Sequence, residues 1–251
     1  METRIRAKLS EIEAREQVRI LHAVESGSRA WGFASPDSDY DVRFVYVREP
    51  EFYLRLNKTR DVIEWQLDDT LDINGWDLSK ALQLLHKSNP TLFEWNSSPI
   101  VYHTTTEWEK IAAIIERYFV AKSGLYHYLS TAKSNYREHL KGETVKYKKY
   151  FYVLRPLLAC KWILDRGTPP PMLFSELMDA YLEDALISDV EELLRLKMTC
   201  PEIGEGKRLD LVNAYIDRTI AETEEEIKRL PTTYDNGWEE LNEVFRSYIL
   251  R

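Results

Sequence analysis

Two aspartates one residue apart close the segment Gly27-Ser28-Arg29-Ala30-Trp31-Gly32-Phe33-Ala34-Ser35-Pro36-Asp37-Ser38-Asp39-Tyr40-Asp41-Val42. At the mouth of a strand, Asp39 and Asp41 point to one face, and Tyr40 and Val42 to the other, because side chains alternate along extended backbone. Carboxylates that converge in this way repel each other unless a cation neutralises them. Mg²⁺ suits the pair, being a hard ion that takes carboxylate, phosphate and water oxygens together. Ten residues before the pair, Gly27-Ser28 lets a backbone turn and a hydroxyl approach a phosphate closely. Taken singly, either feature reads more simply as a solvated turn. Together, in a strand–turn–strand setting, they point to metal-assisted phosphate chemistry. Other metal chemistries are excluded by composition: Cys160 and Cys200 lack a CxxC partner, and the five histidines (His22, His86, His103, His127, His139) have no HxxxH spacing.

The elements that must position these residues are legible by period. Helical spacing covers residues 3–16, with Ser10 and Glu13 as one capping box. Val18–Val24 is a short apolar run with the character of a buried strand, and Tyr40–Val47 alternates as a second strand. Residues 61–67 and 70–76 read as two more strands joined by a hairpin at LDDT. Leu78–Lys87 has helical spacing, with Leu78, Leu82 and Leu85 on one face, and Asn89-Pro90 stops it. From Thr106-x-x-Glu109, a second capping box, almost everything has period 3.6. Helices are expected over 106–120, 122–140, 144–165, 174–185, 188–197, 206–229 and 236–250, broken at Pro169–Pro171 and at Cys200-Pro201-Glu202-Ile203-Gly204. The C-terminal stripe of Leu241, Val244, Phe245, Tyr248 and Ile249 docks on the body or on another subunit. The expected fold class is α+β, a mixed sheet with flanking helices over residues 1–104 followed by an all-helical domain over 105–251.

The chain has 251 residues and a net charge of −8, which excludes a generally basic nucleic-acid coat but leaves room for a local basic groove. With 9 glycines, repeated Gly-rich nucleotide loops are not available. No apolar stretch approaches membrane-spanning length, and the amphipathic N-terminus has no signal-peptide segment, so a soluble, cytoplasmic protein without membrane partners is expected. The sequence assigns no oligomeric state.

The segment GSRAWGFASPDSDYDV resembles the signature of the DNA polymerase beta-type nucleotidyltransferase superfamily: Gly-Ser, a spacer, then Asp-x-Asp on a strand. It is also similar to a narrower bacterial and phage branch associated with RNA ligases. LDINGWDL (71–78), KSNPTLFEW (87–95), SPIVY (98–102), KKYFYVLRPLLA (148–159) and the prolines at 169–170 carry that second likeness, which covers most of residues 18–175. The resemblance implies a minimal nucleotidyltransferase sheet and a third carboxylate on a neighbouring strand. Candidates are Glu64, Asp68, Asp69, Asp72 and Asp77. Asp72 is preferred because it lies within the strand LDING, whereas Asp68 and Asp69 belong to a turn and Asp77 is placed to cap the next helix. The implied chemistry uses two Mg²⁺ ions, with Mn²⁺ as the substitute, held by Asp39, Asp41 and Asp72. A nucleoside monophosphate passes from an NTP, with ATP preferred, to a hydroxyl, and pyrophosphate leaves. Gly27, Ser28 and Arg29 would then hold phosphates. Arg43, two residues beyond Asp41 on the same face, either pairs with a phosphate or neutralises the aspartates.

Between Lys133 and Lys161, eight Lys or Arg residues face two acids, so the basic residues gather around one helix. Lys148, Tyr152 and Arg155 fall at i, i+4 and i+7, a stripe that could grip a triphosphate and stack on a base. The plainer reading is a solvated amphipathic helix whose other side, with Phe151, Leu154 and Leu158, enters the core. The acceptor stays open among an RNA 3′ end, a protein hydroxyl and a small-molecule hydroxyl. A reading of another class is a non-catalytic nucleotide-binding or interaction module on the same fold, which gains weight if Asp72 points away from the Asp39/Asp41 pair.

Overall fold

The computed structural model describes residues 1–57, 59–68, 70–199, 204–231 and 237–250. The chain forms two compact units, Met1–Ala30 with Asp39–Tyr118 and Asp235–Arg251 in the first, and Trp31–Ser38 with Phe119–Tyr234 in the second.

In the first unit the order is α1 (Glu2–Glu16), β1 (Val18–Glu25), α2 (Gly27–Ala30), β2 (Tyr40–Arg48), α3 (Pro50–Tyr53), β3 (Val62–Asp68), β4 (Leu71–Asp77), α4 (Leu78–His86), α5 (Pro90–Asn96), β5 (Val101–Thr104) and α6 (Thr106–Ile115). The strands make one mixed sheet in the order β3-β4-β2-β1-β5. β2 runs parallel to β4, while the pairs β1–β2, β1–β5 and β3–β4 are antiparallel. This is the α+β class expected.

α1 is one uninterrupted helix, so Ser10 and Glu13 form no cap inside it; Glu13 Oε1 instead accepts the Ile20 N–H at 2.8 Å and ties the helix to β1. Its buried residues Ile5, Leu9 and Ile12 recur at helical spacing and pack with Ile20, Val42, Phe44, Tyr46, Leu71 and Ile73 on one face of the sheet. The alternate residues of β2 and β4, among them Asp41 and Asp72, therefore emerge on the other face.

The local signals near residue 90 act differently from expectation. Pro90 ends nothing but begins α5, where a missing N–H costs no hydrogen bond, and the Asn89 side chain caps that helix by accepting the Thr91 N–H at 3.0 Å. The α6 cap is Thr105, one residue earlier than the box at Thr106: its Oγ1 accepts the Trp108 N–H at 3.2 Å. Asp77 caps α4, accepting the Ser79 N–H at 2.8 Å.

The C-terminal helix α12 (Glu239–Ile249) belongs to this unit and docks by its apolar stripe, burying Leu241, Tyr248 and Ile249. Phe245 meets Tyr53 edge-on at 5.2 Å between ring centres, and Glu240 pairs with Arg117 at 2.6 Å.

The second unit holds α7 (Ala121–His139), β6 (Thr144–Lys146), α8 (Lys148–Arg166), α9 (Phe174–Tyr181), α10 (Asp184–Thr199), β7 (Glu205–Lys207) and α11 (Asp210–Arg229). It is not all-helical. β6 and β7 pair antiparallel where helices were expected from 144 and from 206, so the helices begin at Lys148 and Asp210. Pairing between segments sixty residues apart leaves no local period to read. The break expected at 200–203 lies outside the described residues. Residues 31–38, the spacer of the Gly-Ser…Asp-x-Asp segment, are built into this unit: Phe33 packs against Phe151 and Phe174, and the Phe174 N–H donates to the Trp31 carbonyl at 3.0 Å.

Within the first unit's sheet, Gly75 lies opposite Phe44 in register, and a Cβ there would sit 2.2 Å from the Phe44 ring. Gly75→Ala is expected to lower stability by about 1–3 kcal/mol through overpacking. Combined with Phe44→Leu, which shortens the opposing side chain, the loss should be less than the sum of the two single losses, as measured by urea denaturation.

Candidate active site

Strand register sets the acids. Parallel pairing of β2 with β4 places Asp41 opposite Asp72 and Tyr40 opposite Leu71. Arg43 reaches back over both: its Nη2 donates to Asp41 Oδ1 at 2.9 Å and to Asp72 Oδ2 at 2.8 Å. Its Nη1 donates to the carbonyls of Val42 at 3.0 Å and Asp72 at 3.3 Å. One guanidinium thus bridges two carboxylates on neighbouring strands. Of the two readings of Arg43, a structural counter-ion is the one displayed here.

Asp39 lies just before β2 and is exposed; its carbonyl accepts Arg29 Nε at 3.0 Å. Arg29 lies 3.7 Å over the Tyr40 ring, so that side chain braces the turn from both sides. Burial pushes the Asp41 carboxyl above its ordinary range; Arg43 opposes that shift, while the charges of Asp72 and Asp39 add to it. The Asp41 carboxyl is thus raised mainly by burial, with the neighbouring charges of Asp72 and Asp39 adding to it and Arg43 as its cation partner.

Gly27 is shaped by the same aspartate. Its φ of +60° is left-handed, and a Cβ would come within 2.2 Å of Asp41 Oδ2. Ser28 follows in the single turn α2. The sequence placed Gly27 and Ser28 near phosphate; the geometry adds that Gly27 makes room for a carboxylate.

Glu25 was not singled out by sequence reasoning. At the end of β1 it is fully buried, its Oε1 accepts the Asp41 N–H at 2.7 Å, and the Tyr102 hydroxyl donates to its Oε2. Burial drives its carboxyl upward, and those two hydrogen bonds hold it back. The one sequence signal was a charged residue closing a strand that is otherwise apolar from Ile20 to Val24 apart from His22.

Of the other candidates for a third carboxylate, Asp77 and Glu64 are engaged elsewhere. Asp77 is 1% exposed and is taken up by Ser79 and Tyr53, whose hydroxyl donates to it at 2.9 Å. Glu64 pairs with Arg60 on the exposed edge strand. Asp69 lies outside the described residues, and Asp68 ends β3.

In the second unit, Arg155 corrects the expected phosphate-binding stripe. It is 2% exposed, its guanidinium donates to the Met172 carbonyl, and it lies 4.7 Å from the Trp31 ring centre. α8 is buried around most of its circumference from Val153 to Cys160, so the stripe turns inward at its third member. Lys148 and Tyr152, two turns and one turn earlier, are partly exposed; Tyr152 packs edge-on against Trp31. The basic segment is also matched by acids remote in sequence, Lys133 with Glu224, Lys141 with Asp217 and Lys146 with Glu205.

The donor set bears on a metal. Among the described residues no three His, Cys, Asp or Glu side chains form a metal-holding group as they stand. The oxygens of Asp41 and Asp72 are nevertheless brought to one cation, and Asp39 adds its charge. Hard oxygen donors with excess negative charge, already gathered on a guanidinium, fit a hard divalent ion. No helix among the described residues is long and apolar enough to cross a membrane.

Residues 1–247 match the RNA repair pathway DNA polymerase beta family, RlaP. The uncharacterized protein YcgL of Bacillus subtilis (strain 168) is 45% identical over 251 residues, spanning 99% of this chain and 96% of that protein. A crystal structure of a nucleotidyltransferase-like protein from Exiguobacterium sibiricum aligns with 91% of this chain and 75% of its own at 15% identity; its TM-score of 0.32 is too low to support an argument. The chain belongs to the RNA repair pathway DNA polymerase beta family.

Gly27→Ala should cost about 1–2 kcal/mol from the left-handed backbone alone, with a further penalty from the collision with Asp41. Gly237→Ala, where an added Cβ meets nothing within 4 Å, should stay within about 0.5 kcal/mol of the parent. Urea denaturation of the two variants side by side checks the difference.

Proposed function

We propose that this member of the RNA repair pathway DNA polymerase beta family is a Mg²⁺-dependent nucleotidyltransferase that moves a nucleoside monophosphate from an NTP, preferentially ATP, to a hydroxyl acceptor. The observation that carries the reading is Asp41 and Asp72 in register on parallel strands, sharing one cation, with Asp39 two residues away. Asp72 turned toward the pair weighs against a non-catalytic module.

In this reading the acceptor hydroxyl gives up its proton to solvent as its oxygen forms a bond to the α-phosphorus, the bond from that phosphorus to the β-phosphate bridging oxygen breaks, and pyrophosphate departs in line. Asp39, Asp41 and Asp72 would hold divalent metal, with Mn²⁺ as a substitute, which when bound supplies charge neutralisation for the phosphates and a more acidic attacking hydroxyl. The Gly27-Ser28 turn offers the close backbone approach that a phosphate needs. Arg29 and Arg43 are the cations of the site. Arg43 has two employers, the acids when they lack another partner and the triphosphate when it is present, because a guanidinium fits carboxylate and phosphate oxygens alike.

The RNA repair pathway in the family description supports an RNA acceptor, for which a 3′-terminal hydroxyl is the end we assign. A protein or small-molecule hydroxyl is the second reading, favoured by the ion pairs that neutralise three of the eight cations of the basic segment. Incubation with labelled NTP and either RNA or candidate proteins discriminates them by which material carries the label.

Calorimetric titration of ATP with and without Mg²⁺ tests the site itself. The parent protein should bind ATP in a Mg²⁺-dependent manner, and Asp39→Ala/Asp41→Ala should weaken that binding by about a hundredfold or more, roughly the worth of two charged ligands at ~1.5–3 kcal/mol each. Equal Mg²⁺-dependent binding in the two proteins would overturn the assignment.

A further inference from the structure

Asp41 is held by three consecutive residues of the β1 end. Glu25 takes its N–H at 2.7 Å, the Ser26 N–H donates to its carbonyl at 2.9 Å, and Gly27 lacks the Cβ that would strike its carboxylate. Glu25 is itself anchored on every side. Its N–H donates to the Ile100 carbonyl at 2.9 Å, its carbonyl accepts Ser98 Oγ at 2.6 Å, and its second carboxylate oxygen accepts the Tyr102 hydroxyl. A fully buried carboxylate is costly, and one placed beneath an acidic cluster adds repulsion to that cost. An apolar residue like Val24 would close the strand more cheaply. What the carboxylate adds, and an apolar residue lacks, is an acceptor that fixes the backbone of Asp41.

We propose that Glu25, locked by Tyr102 and Ser98, is a positioning residue that sets the place of the Asp41 carboxylate for metal binding. The proposal rests on the metal-site reading above and assigns Glu25 no contact with metal or nucleotide. Its role is to keep Asp41 from shifting along β2 when the neighbouring acids repel it. Displacements on the order of 1 Å in such a site cost up to about a hundredfold.

The test is Mn²⁺ titration without nucleotide, followed by the electron paramagnetic resonance of free Mn²⁺, on folded protein well below each variant's own Tm. Glu25→Leu removes the acceptor and should weaken Mn²⁺ binding by about tenfold or more. Glu25→Gln keeps an acceptor oxygen for the Asp41 N–H and should stay within about threefold of the parent, the effect of a fraction of one hydrogen bond. Ile20→Ala, a cavity at the opposite end of β1, should lower Tm and leave Mn²⁺ affinity unchanged, which separates positioning from general weakening of the sheet. Should Glu25→Leu fail to fold, Tyr102→Phe carries the test: it frees one carboxylate oxygen and should weaken Mn²⁺ binding by about two- to tenfold.

Parent-like Mn²⁺ affinity in folded Glu25→Leu, or in Tyr102→Phe where that variant stands in, would overturn the proposal. So would equal losses in Glu25→Gln and Glu25→Leu, because charge rather than an acceptor would then be at work. Asp41→Ala, run alongside, tells the two readings apart. If it binds Mn²⁺ like the parent, the metal site is misassigned; if it loses binding while Glu25→Leu keeps it, only the positioning role falls.

Discussion

The parallel pairing of β2 with β4 is the constraint on which the first unit turns. Parallel neighbours cannot be joined by a tight hairpin, so the chain leaves β2, passes through α3 and β3, and returns antiparallel to lay β4 alongside. That detour puts Asp72 beside Asp41 although thirty residues separate them. A slip of one residue in the pairing would turn Asp72 toward α1 and into the apolar layer. Leu71 and Ile73, both buried there, hold the register against such a slip. The hydrophobic face of the sheet thereby fixes the chemistry of the polar one.

Much of this was readable beforehand. Asp39 and Asp41 stood out because strand alternation is a short-range property that needs no knowledge of tertiary contacts. The strands around them were legible for the same reason. Asp72, by contrast, was sought only because the resemblance to the polymerase beta-type superfamily implied a third carboxylate, and alternation then chose it among the candidates. Glu25 was not, because nothing local distinguishes a buried acid that accepts from Asp41 and Tyr102 from a solvated acid at the end of a strand. Only the fold brings Tyr102, seventy-seven positions away, to its carboxylate. Arg155 failed differently. A stripe at i, i+4 and i+7 shows which residues share a face but not whether a neighbour covers it, and α8 is covered on nearly all sides.

The basic segment is a lesson in charge arithmetic. Eight cations against two acids along the chain suggested a polarised surface, yet the counter-charges come from β7 and α11, more than fifty residues downstream. Clustering in sequence thus overstates the net charge, since three of the eight cations carry acids that lie far along the chain. The second unit instead gains its order from buried polar junctions such as Asn213, whose side chain donates to the Leu140 carbonyl at 2.8 Å and accepts the Tyr150 hydroxyl at 2.8 Å. Each group there is satisfied, so such a junction specifies one arrangement of α7, α8 and α11 rather than several.

Arg43 has a bearing on how the protein comes to exist at all. A cluster of acids with no internal counter-ion would make folding wait for metal, as it does in small domains built around an ion. Here the chain brings its own cation, two residues from Asp41, and the guanidinium closes the site as soon as β2 and β4 meet. The acids of this face are therefore neutralised from within the chain, and the sheet can close on that contact with no ion between β2 and β4.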